Sequence, residues 1–503
     1  MHDLGKSDSP IVPKKMPNKE TQTEPARADS PSLPSAEALE GRGLTKENAP
    51  RRYSLRTQSR ERLQQALERV REVAANDRSA QFNSIWHLAC DPERLMAAFL
   101  AIKRQSAAGI DGQTKQEYEK NLRDNLLDLS DRLKRGAYHA KPVKRVYIPK
   151  ADGRQRPIGI PALEDKIVQR SVAEVLRGIY ETDFRAFSFG FRPGRSQHQA
   201  LDYLAVGLMQ GRLNWVLDAD IRGFFDNIDH EWLLTFVKHR IADKRVWRHI
   251  KKWLQAGVLE DGIVRKVEYG TPQGGSISPL LANIYLHYAF DIWAEIWRRK
   301  EATGEMRIVR FADDAVICFE NREDAERFLA AMRERLGRFH LELNMEKTRL
   351  IEFGLKALRD RESRGEGPPA TFDFLGFTHY CSRTRKGRFV IKRQTARRKM
   401  TAKLKEIRME LRRRLNDSIR DVGRWLGRVL RGHYEYYAVP FNYPKLAAFR
   451  HQVVRIWKWI LSRRSHKGKV RNTWERMLNL AKRYLPPPKI RHPYPEQRMR
   501  VMI

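Results

Sequence analysis

The sequence predicts an α+β chain, a mixed body built on an antiparallel sheet followed by an α-helical C-terminal domain. Three observations carry this expectation. Short apolar segments rich in β-branched and aromatic residues mark strands, most clearly Ile308-Val309 and Ala315 to Phe319, which flank Asp313 and Asp314 as the two arms of a hairpin. Met400, Leu404, Ile407, Leu411 and Leu415 step by four, three, four and four, one apolar helical stripe in a segment otherwise crowded with Arg and Lys. Residues 1 to about 50 are rich in Pro, Ser, Glu and Lys with few large apolar groups, which predicts a disordered tail. The expected organisation is a tail over 1–50, an N-terminal extension over 51–130, the mixed body over 131–377 and the helical domain over 378–503.

The charge balance constrains the partner. Lys and Arg number 98 against 61 acids, a net charge of +37 in 503 residues. That excess is far beyond what solubility needs and implies a polyanion. A membrane surface is the rival polyanion. No apolar run approaches the ~18–20 residues of a spanning helix, and Met1 to Lys6 lacks a signal-peptide core, so a soluble, cytoplasmic protein is expected. Cys90, Cys318 and Cys381 lie far apart with no Cys-x-x-Cys pair, which argues against disulfides and cysteine-based zinc sites.

Along the chain, Leu63, Leu67, Val70 and Ala74 have helical spacing, with Arg60, Arg62, Arg69 and Arg71 crowding the same segment. That basic amphipathic helix either packs on the body with its arginines in solvent or contacts RNA. The apolar run Trp215 to Leu217 delivers Asp218 and Asp220, and Phe224 and Phe225 follow at a bend. Gly270 to Asn283 opens as a Gly/Pro loop containing Gln273, Gly274 and Gly275 and turns helical from Leu280. Leu355 to Ala370 is polar and glycine-bearing and reads as a surface loop. Beyond it, basic residues surround the Met400 stripe. Trp425 to Tyr437 and Trp457 to Lys469 mix arginines with aromatics that can stack on bases, although most of those rings individually read as core of a helical bundle.

The two acidic clusters suggest the chemistry. Adjacent carboxylates at a hairpin turn repel each other and resist desolvation, and the turn itself holds no cation. An ordinary polar turn is one reading of Asp313 and Asp314; a divalent cation is the other. Joining nucleotides through two metal ions needs carboxylates on neighbouring strands with the ions about 3.5–4 Å apart, and Asp220 with Asp313 and Asp314 would supply oxygen ligands suited to magnesium.

The ordered blocks resemble a reverse transcriptase, specifically the reverse transcriptase/maturase encoded within bacterial group II introns. The resemblance runs from about Arg60 to the C-terminus. It rests on Ala107 to Thr114, Tyr147 to Pro161, Phe187 to Ser196, the two acidic motifs, the Gln273-Gly274-Gly275 loop, Leu343 to Thr348 and Phe374 to Phe377. Leu485 to Pro495 resembles the C-terminal end of many such proteins. Phe311 departs from the pattern, since the family more often has tyrosine there.

The resemblance implies a right-hand polymerase of fingers, palm and thumb, with Asp220, Asp313 and Asp314 as catalytic carboxylates and Asp220, Ile221, Asp313 and Asp314 as ligands of two Mg2+ ions, Mn2+ able to substitute. It implies nucleotide-binding roles for Lys150, Arg156, Phe225, Gln273 and Lys347. Phe225, an aromatic five residues after Asp220, would leave no room for a ribose 2′-hydroxyl. Lys150 and Arg156 would grip the triphosphate, or stand as a solvated hairpin charge pair. Lys347 would protonate the leaving pyrophosphate, or be a plain surface lysine. RNA contacts fall to Arg397, Arg398, Lys399, Arg431, Arg463, Arg464, Lys467 and Lys469. The expected partners are the intron RNA, an RNA template with DNA primer, deoxynucleotides and target DNA, with a second copy of the chain as a further candidate, and the cell location is cytoplasmic, at the nucleoid when acting on DNA. Some relatives carry a zinc-supported endonuclease; with no cysteine cluster, this chain reads as endonuclease-lacking. The competing reading is a domesticated enzyme serving DNA repair or phage defence.

Overall fold

A computed structural model describes residues 57–149, 155–260, 262–265, 269–271, 274–464 and 468–500. The central element is a four-stranded antiparallel sheet in the order β6 (Met306–Phe311), β7 (Asp314–Phe319), β3 (Trp215–Ala219), β8 (Arg349–Glu352). Successive side chains of a strand point to opposite faces, and here both faces are covered. Leu217, Ile308, Ala315, Ile317 and Phe319 enter the larger core, beneath the helices Leu163–Asp183, Ser278–Leu286 and Arg322–Gly337. Val216, Val309, Val316, Cys318 and Ile351 enter a second core, under the helix Gln197–Gln210. Burial on both faces explains why β7 reads as a continuous apolar run rather than an alternating one.

A second sheet has the order β2 (Gln155–Ile160), β1 (Val143–Pro149), β4 (Val258–Glu260), β5 (Ile263–Arg265). The β1–β2 hairpin is antiparallel, whereas β1 and β4 run parallel, so this sheet is mixed. The helix Thr57–Asn76 lies on Leu163–Asp183, with Ala66, Leu67, Val70 and Ala74 turned inward and Arg62, Arg69 and Arg71 outward. The apolar face of that amphipathic segment is thus packed on the body.

Two sequence expectations change. The region after 377 opens as a sheet: β9 (Phe372–Phe374), β10 (Phe377–Arg383) and β11 (Phe389–Thr395) pair antiparallel, and helices begin only at Arg397. Phe377, His379 and Cys381 alternate inward with polar neighbours, a period-two pattern that places this hairpin against the second core. The segment expected as a loop carries the helix Leu355–Ser363, which buries Ala357 and Leu358 while Arg361 and Arg364 pair with Glu352 and Glu366. Its two buried residues are too few to stand out in so polar a sequence.

The helices Arg397–Arg413, Ile419–Tyr437, Tyr443–Leu461 and Trp474–Tyr484 form a bundle with its own core, in which Tyr434 and Trp457 are fully buried. Ile407 and Leu411 are buried, and Met400, Leu404 and Leu415 pack partly against them, so the expected stripe is the inward face. From the bundle the chain returns to the body. Arg491 and His492 donate backbone N–H groups to the Ala438 carbonyl at 2.9 and 3.1 Å, and His492 stacks on His198. Buried Asp202 pairs with Arg393 and Arg498, both at 2.7 Å. Among the described residues no helix is long and apolar enough to cross a membrane. All three cysteines are free and buried.

Candidate active site

The β6–β7 hairpin turns in two residues. Phe311 pairs with Asp314, leaving Ala312 and Asp313 at the tip. Ala312 has φ of +56°, the left-handed region that such a tight turn requires and that a Cβ disfavours. The surroundings hold it there. A Cβ on Gly190 would lie 2.3 Å from the Ala312 nitrogen, so glycine is needed for that segment to lie against the turn. Phe189 and Arg310 clip the two segments together, the Phe189 N–H to the Arg310 carbonyl at 2.8 Å and the Arg310 N–H to the Phe187 carbonyl at 2.9 Å.

Arg310 is 1% exposed, yet its guanidinium is well supplied with acceptors. Nε and Nη2 donate to the Asp291 carboxylate at 2.7 and 2.5 Å, and Nη1 donates to Asn283 Oδ1 at 3.1 Å and to the Ala312 carbonyl at 2.9 Å. Asn283 in turn donates Nδ2 to the Gly190 carbonyl at 2.7 Å. Asp291 ends a π-helical turn, His287–Asp291, interrupting an otherwise α-helical run.

Strand β3 brings the second acidic motif alongside. Ala219 pairs with Ala315, so Asp220 emerges beside the hairpin tip. The Asn344 N–H donates to the Asp220 carbonyl and the Arg222 N–H to the Glu342 carbonyl, both at 2.8 Å, around the bridge Ile221–Leu343. In that antiparallel pattern the Ile221 carbonyl points to the other side, where β7 lies. Its side chain is apolar and buried, so only this carbonyl could serve as a ligand. Lys347 Nζ lies 2.9 Å from the Asp220 carboxylate, which makes the lysine its counter-charge.

The carboxylates feel one another. Asp314 is open to solvent but surrounded by protein, as a group on the floor of a cleft is; that environment, then Asp313, Asp220 and Asp218, push its carboxyl up to about 7, opposed by Lys399. Asp313 is also raised, by burial and then Asp220, against the pull of Arg156 and Arg310. Asp218, which was not among the expected metal ligands, is pushed up to about 6 by burial despite Arg349 at 3.4 Å. Among the described residues no three acidic, histidine or cysteine side chains close into a compact ligand cluster. The carboxylates instead gather at the end of the central sheet, their negative charge only partly met by Lys347 and Arg349. Hard oxygen donors with that charge fit a divalent cation.

The sugar-facing candidate Phe225 sits in the short 3₁₀ turn Phe224–Asp226, half-buried against the core and 5.3 Å from Phe224. The Gly270 loop docks onto this turn: the Thr271 N–H donates to the Phe225 carbonyl at 2.8 Å, and a Cβ on Gly270 would meet the Asp226 carbonyl at 2.8 Å. Gly274 lies against β2, its would-be Cβ 2.5 Å from the Gly159 carbonyl. Arg156 is exposed on β2, and its positive charge pulls against the rise of the Asp313 carboxyl. Phe311 meets Phe191 at 6.4 Å. Lys150, Gln273 and Lys467 lie outside the described residues, as does the side chain of Lys469.

Basic side chains continue onto the bundle. Arg397, Arg398, Lys399 and Arg431 are exposed. Arg408, Arg412 and Arg463 gather around the Trp459 ring at 4.6, 5.4 and 3.9 Å. Of the expected RNA-facing set, Arg464 is half-buried and donates to the carbonyls of Asp417 and Arg414 at 2.8 and 3.4 Å, tying two helix ends together. Sequence reasoning also missed Arg310, Asp291 and Asn283. The signal for Arg310 was its place between Val309 and Phe311, an arginine inside an apolar strand; Asp291 and Asn283 had none, being brought together only by the fold.

Residues 148–379 match the family model for reverse transcriptase (RNA-dependent DNA polymerase). The chain is 34% identical over 339 residues to protein YkfC of Escherichia coli (strain K12), covering 58% of this chain and 87% of that protein. It is 36% identical over 222 residues to the group II intron-encoded protein LtrA of Lactococcus lactis subsp. cremoris, covering 44% of this chain and 37% of LtrA. Nuclear intron maturase 4, mitochondrial, of Arabidopsis thaliana is 25% identical over 253 residues, 49% of this chain and 30% of that protein. The chain thus spans most of the first relative but well under half of the other two.

The raised carboxyl makes a pH prediction. Asp314 holds its proton more tightly folded than unfolded, so its contribution to stability is fully present below about 3.8 and is lost as pH rises through about 7. In metal-free protein, Asp314→Asn should raise the melting temperature relative to wild type only modestly at pH 5, where the loss has begun, and clearly more at pH 8. Thermal melts in EDTA at the two pH values check this.

Proposed function

We propose that this chain, which belongs to the group II intron-encoded reverse transcriptases, copies RNA into DNA at the β3–β7 cleft and, in a maturase role, helps splice and mobilise its own intron RNA. The observation that carries the reading is the convergence of Asp220, Asp313 and Asp314, from strands far apart in sequence, on one electronegative cleft. Relatives named as intron-encoded proteins and a maturase favour an intron partner over a free-standing repair or defence role.

In this reading the sheet β2-β1-β4-β5 belongs to the fingers, the central sheet is the palm, and the bundle from Arg397 is the thumb and maturase domain. Two Mg2+ ions, when bound, supply activation of the primer 3′-hydroxyl and stabilisation of charge on the triphosphate. Asp220, Asp313 and Asp314 would hold them, with the Ile221 carbonyl on the same side of β3. Arg156, exposed on β2, offers a bidentate fork to the triphosphate. Lys150 and Gln273 are assigned to the nucleotide by the family pattern alone. Lys347, paired with Asp220, stands within reach of a pyrophosphate leaving the site and could return a proton to it. Phe225 walls the sugar position beneath the docked Gly270 loop, and a ring there excludes a 2′-hydroxyl. Arg397, Arg398 and Lys399 open the helix that rides on the template–primer duplex. Arg431 and the Arg408/Arg412/Arg463 cluster on Trp459 suit intron RNA, where guanidiniums meet phosphates and an aromatic plane meets unpaired bases.

Three outcomes follow. Asp313→Asn with Asp314→Asn should abolish primer extension while RNA affinity stays within a few-fold, because phosphate contacts dominate binding; gel-based extension alongside filter binding measures both, and substantial residual synthesis refutes the site. Phe225→Ala should raise ribonucleotide over deoxynucleotide incorporation by about tenfold or more in single-nucleotide kinetics; an unchanged ratio would mean the ring is only core. Arg408→Ala, Arg412→Ala and Arg463→Ala together should weaken intron RNA binding and lower its log–log salt slope by roughly 0.7–0.9 per lost contact, with extension on a pre-annealed primer little changed at saturating protein.

A further inference from the structure

We propose that Arg310 is a positioning residue for the catalytic turn: its guanidinium, locked by Asp291 and Asn283, holds the Ala312 carbonyl and so fixes where Asp313 and Asp314 point. The proposal rests on the polymerase reading of the site. A two-residue turn with a non-glycine residue at positive φ does not keep its geometry by local preference. It is held from three sides. Arg310 Nη1 binds the carbonyl of Ala312 itself, the Gly190 segment backs its nitrogen too closely to admit a Cβ, and Asn283 bridges the two by accepting from Arg310 and donating to Gly190.

The support is rigid because nothing in it is free to relax. Arg310 and Asp291 are 1% and 0% exposed, the guanidinium is engaged by the carboxylate through two nitrogens, and Asp291 is set by a π-helical turn that a plain α-helix would replace with another register. A neutral apolar pair would fill the same space and could serve packing as well or better. What an apolar pair cannot do is donate to the Ala312 carbonyl. The charge of Arg310 also acts on Asp313 directly, alongside Arg156. The ion pair therefore makes sense as a device for aiming carboxylates, a task in which a displacement of about 1 Å costs on the order of 100-fold in rate.

The test separates aim from packing. Arg310→Met combined with Asp291→Leu replaces the pair by side chains of similar bulk. In the full-length protein, this double variant should keep its circular dichroism spectrum and a cooperative melt, with template–primer Kd and nucleotide KM within about threefold of wild type. Its kcat should fall about 100-fold. Binding of Mn2+, read from loss of the free-ion electron paramagnetic resonance signal without substrate, should weaken as well. A folded double variant with wild-type kcat and Mn2+ binding overturns the proposal. If the double variant does not fold, Asn283→Ala decides, since it removes one neutral hydrogen-bonded bridge and strands no charge. A fall in kcat of about tenfold, one hydrogen bond's worth, supports the assignment, and an unchanged kcat overturns it. Asp314→Asn is the control for the underlying site. If that variant retains extension and Mn2+ binding, the polymerase reading itself has failed, whatever Arg310 does.

Discussion

The buried Arg310–Asp291 pair is the constraint on which the geometry of the cleft depends. Burying an ion pair is expensive unless every polar atom finds a partner, and here the guanidinium meets a carboxylate, a side-chain amide and a backbone carbonyl. Those partners come from different parts of the chain. The hairpin strand β6, the helical run from Ser278 to Lys300 that carries both Asn283 and Asp291, and the Gly190 segment meet at this one guanidinium. Satisfying the arginine ties the hairpin tip to that helical run, while the β3–β7 pairing sets the tip beside Asp220.

Around that fixed point, charge is distributed unevenly on purpose of function. The protein is strongly basic overall, yet the end of the central sheet gathers Asp218, Asp220, Asp313 and Asp314, and the carboxyl of Asp314 is pushed up by the surrounding protein and by its acidic neighbours. Folding alone would not favour such a cluster. Nearby cations only partly compensate it: Lys347 on Asp220, Arg349 at Asp218, Arg156 and Lys399 further off. The residual field suits a hard divalent cation, and the basic surface around it suits the polyanion such a site would act on.

The helical bundle is tied to the body by more than its connecting chain. The returning C-terminal segment brings His492 onto His198 and Arg498 onto Asp202, which also binds Arg393 of β11. One buried carboxylate thus joins the helix Gln197–Gln210, the β10–β11 hairpin and the C-terminal segment. The basic helix that begins at Arg397 follows directly from that hairpin, so its placement relative to the cleft inherits this clasp.

The sequence by itself determined the parts whose signals are local. Apolar flanks identified the β6–β7 hairpin and β3, the four-three-four-four stripe identified the basic helix and its inward face, and motif order pointed to the family and to Asp220, Asp313 and Asp314. Only the tertiary structure decided the rest, and the reason is the same each time. Arg310 finds Asp291 and Asn283 nineteen and twenty-seven residues away, separations that carry no periodicity. Arg464 looks like one more basic residue in a run, and only the fold shows it engaging the backbone carbonyls of Asp417 and Arg414. The β10–β11 hairpin and the helix Leu355–Ser363 depend on the second core to bury a few alternating or isolated residues, and a polar stretch does not announce which of its side chains a neighbour will cover. Local propensity writes elements; the satisfaction of buried polar groups across the chain decides where their functional side chains point.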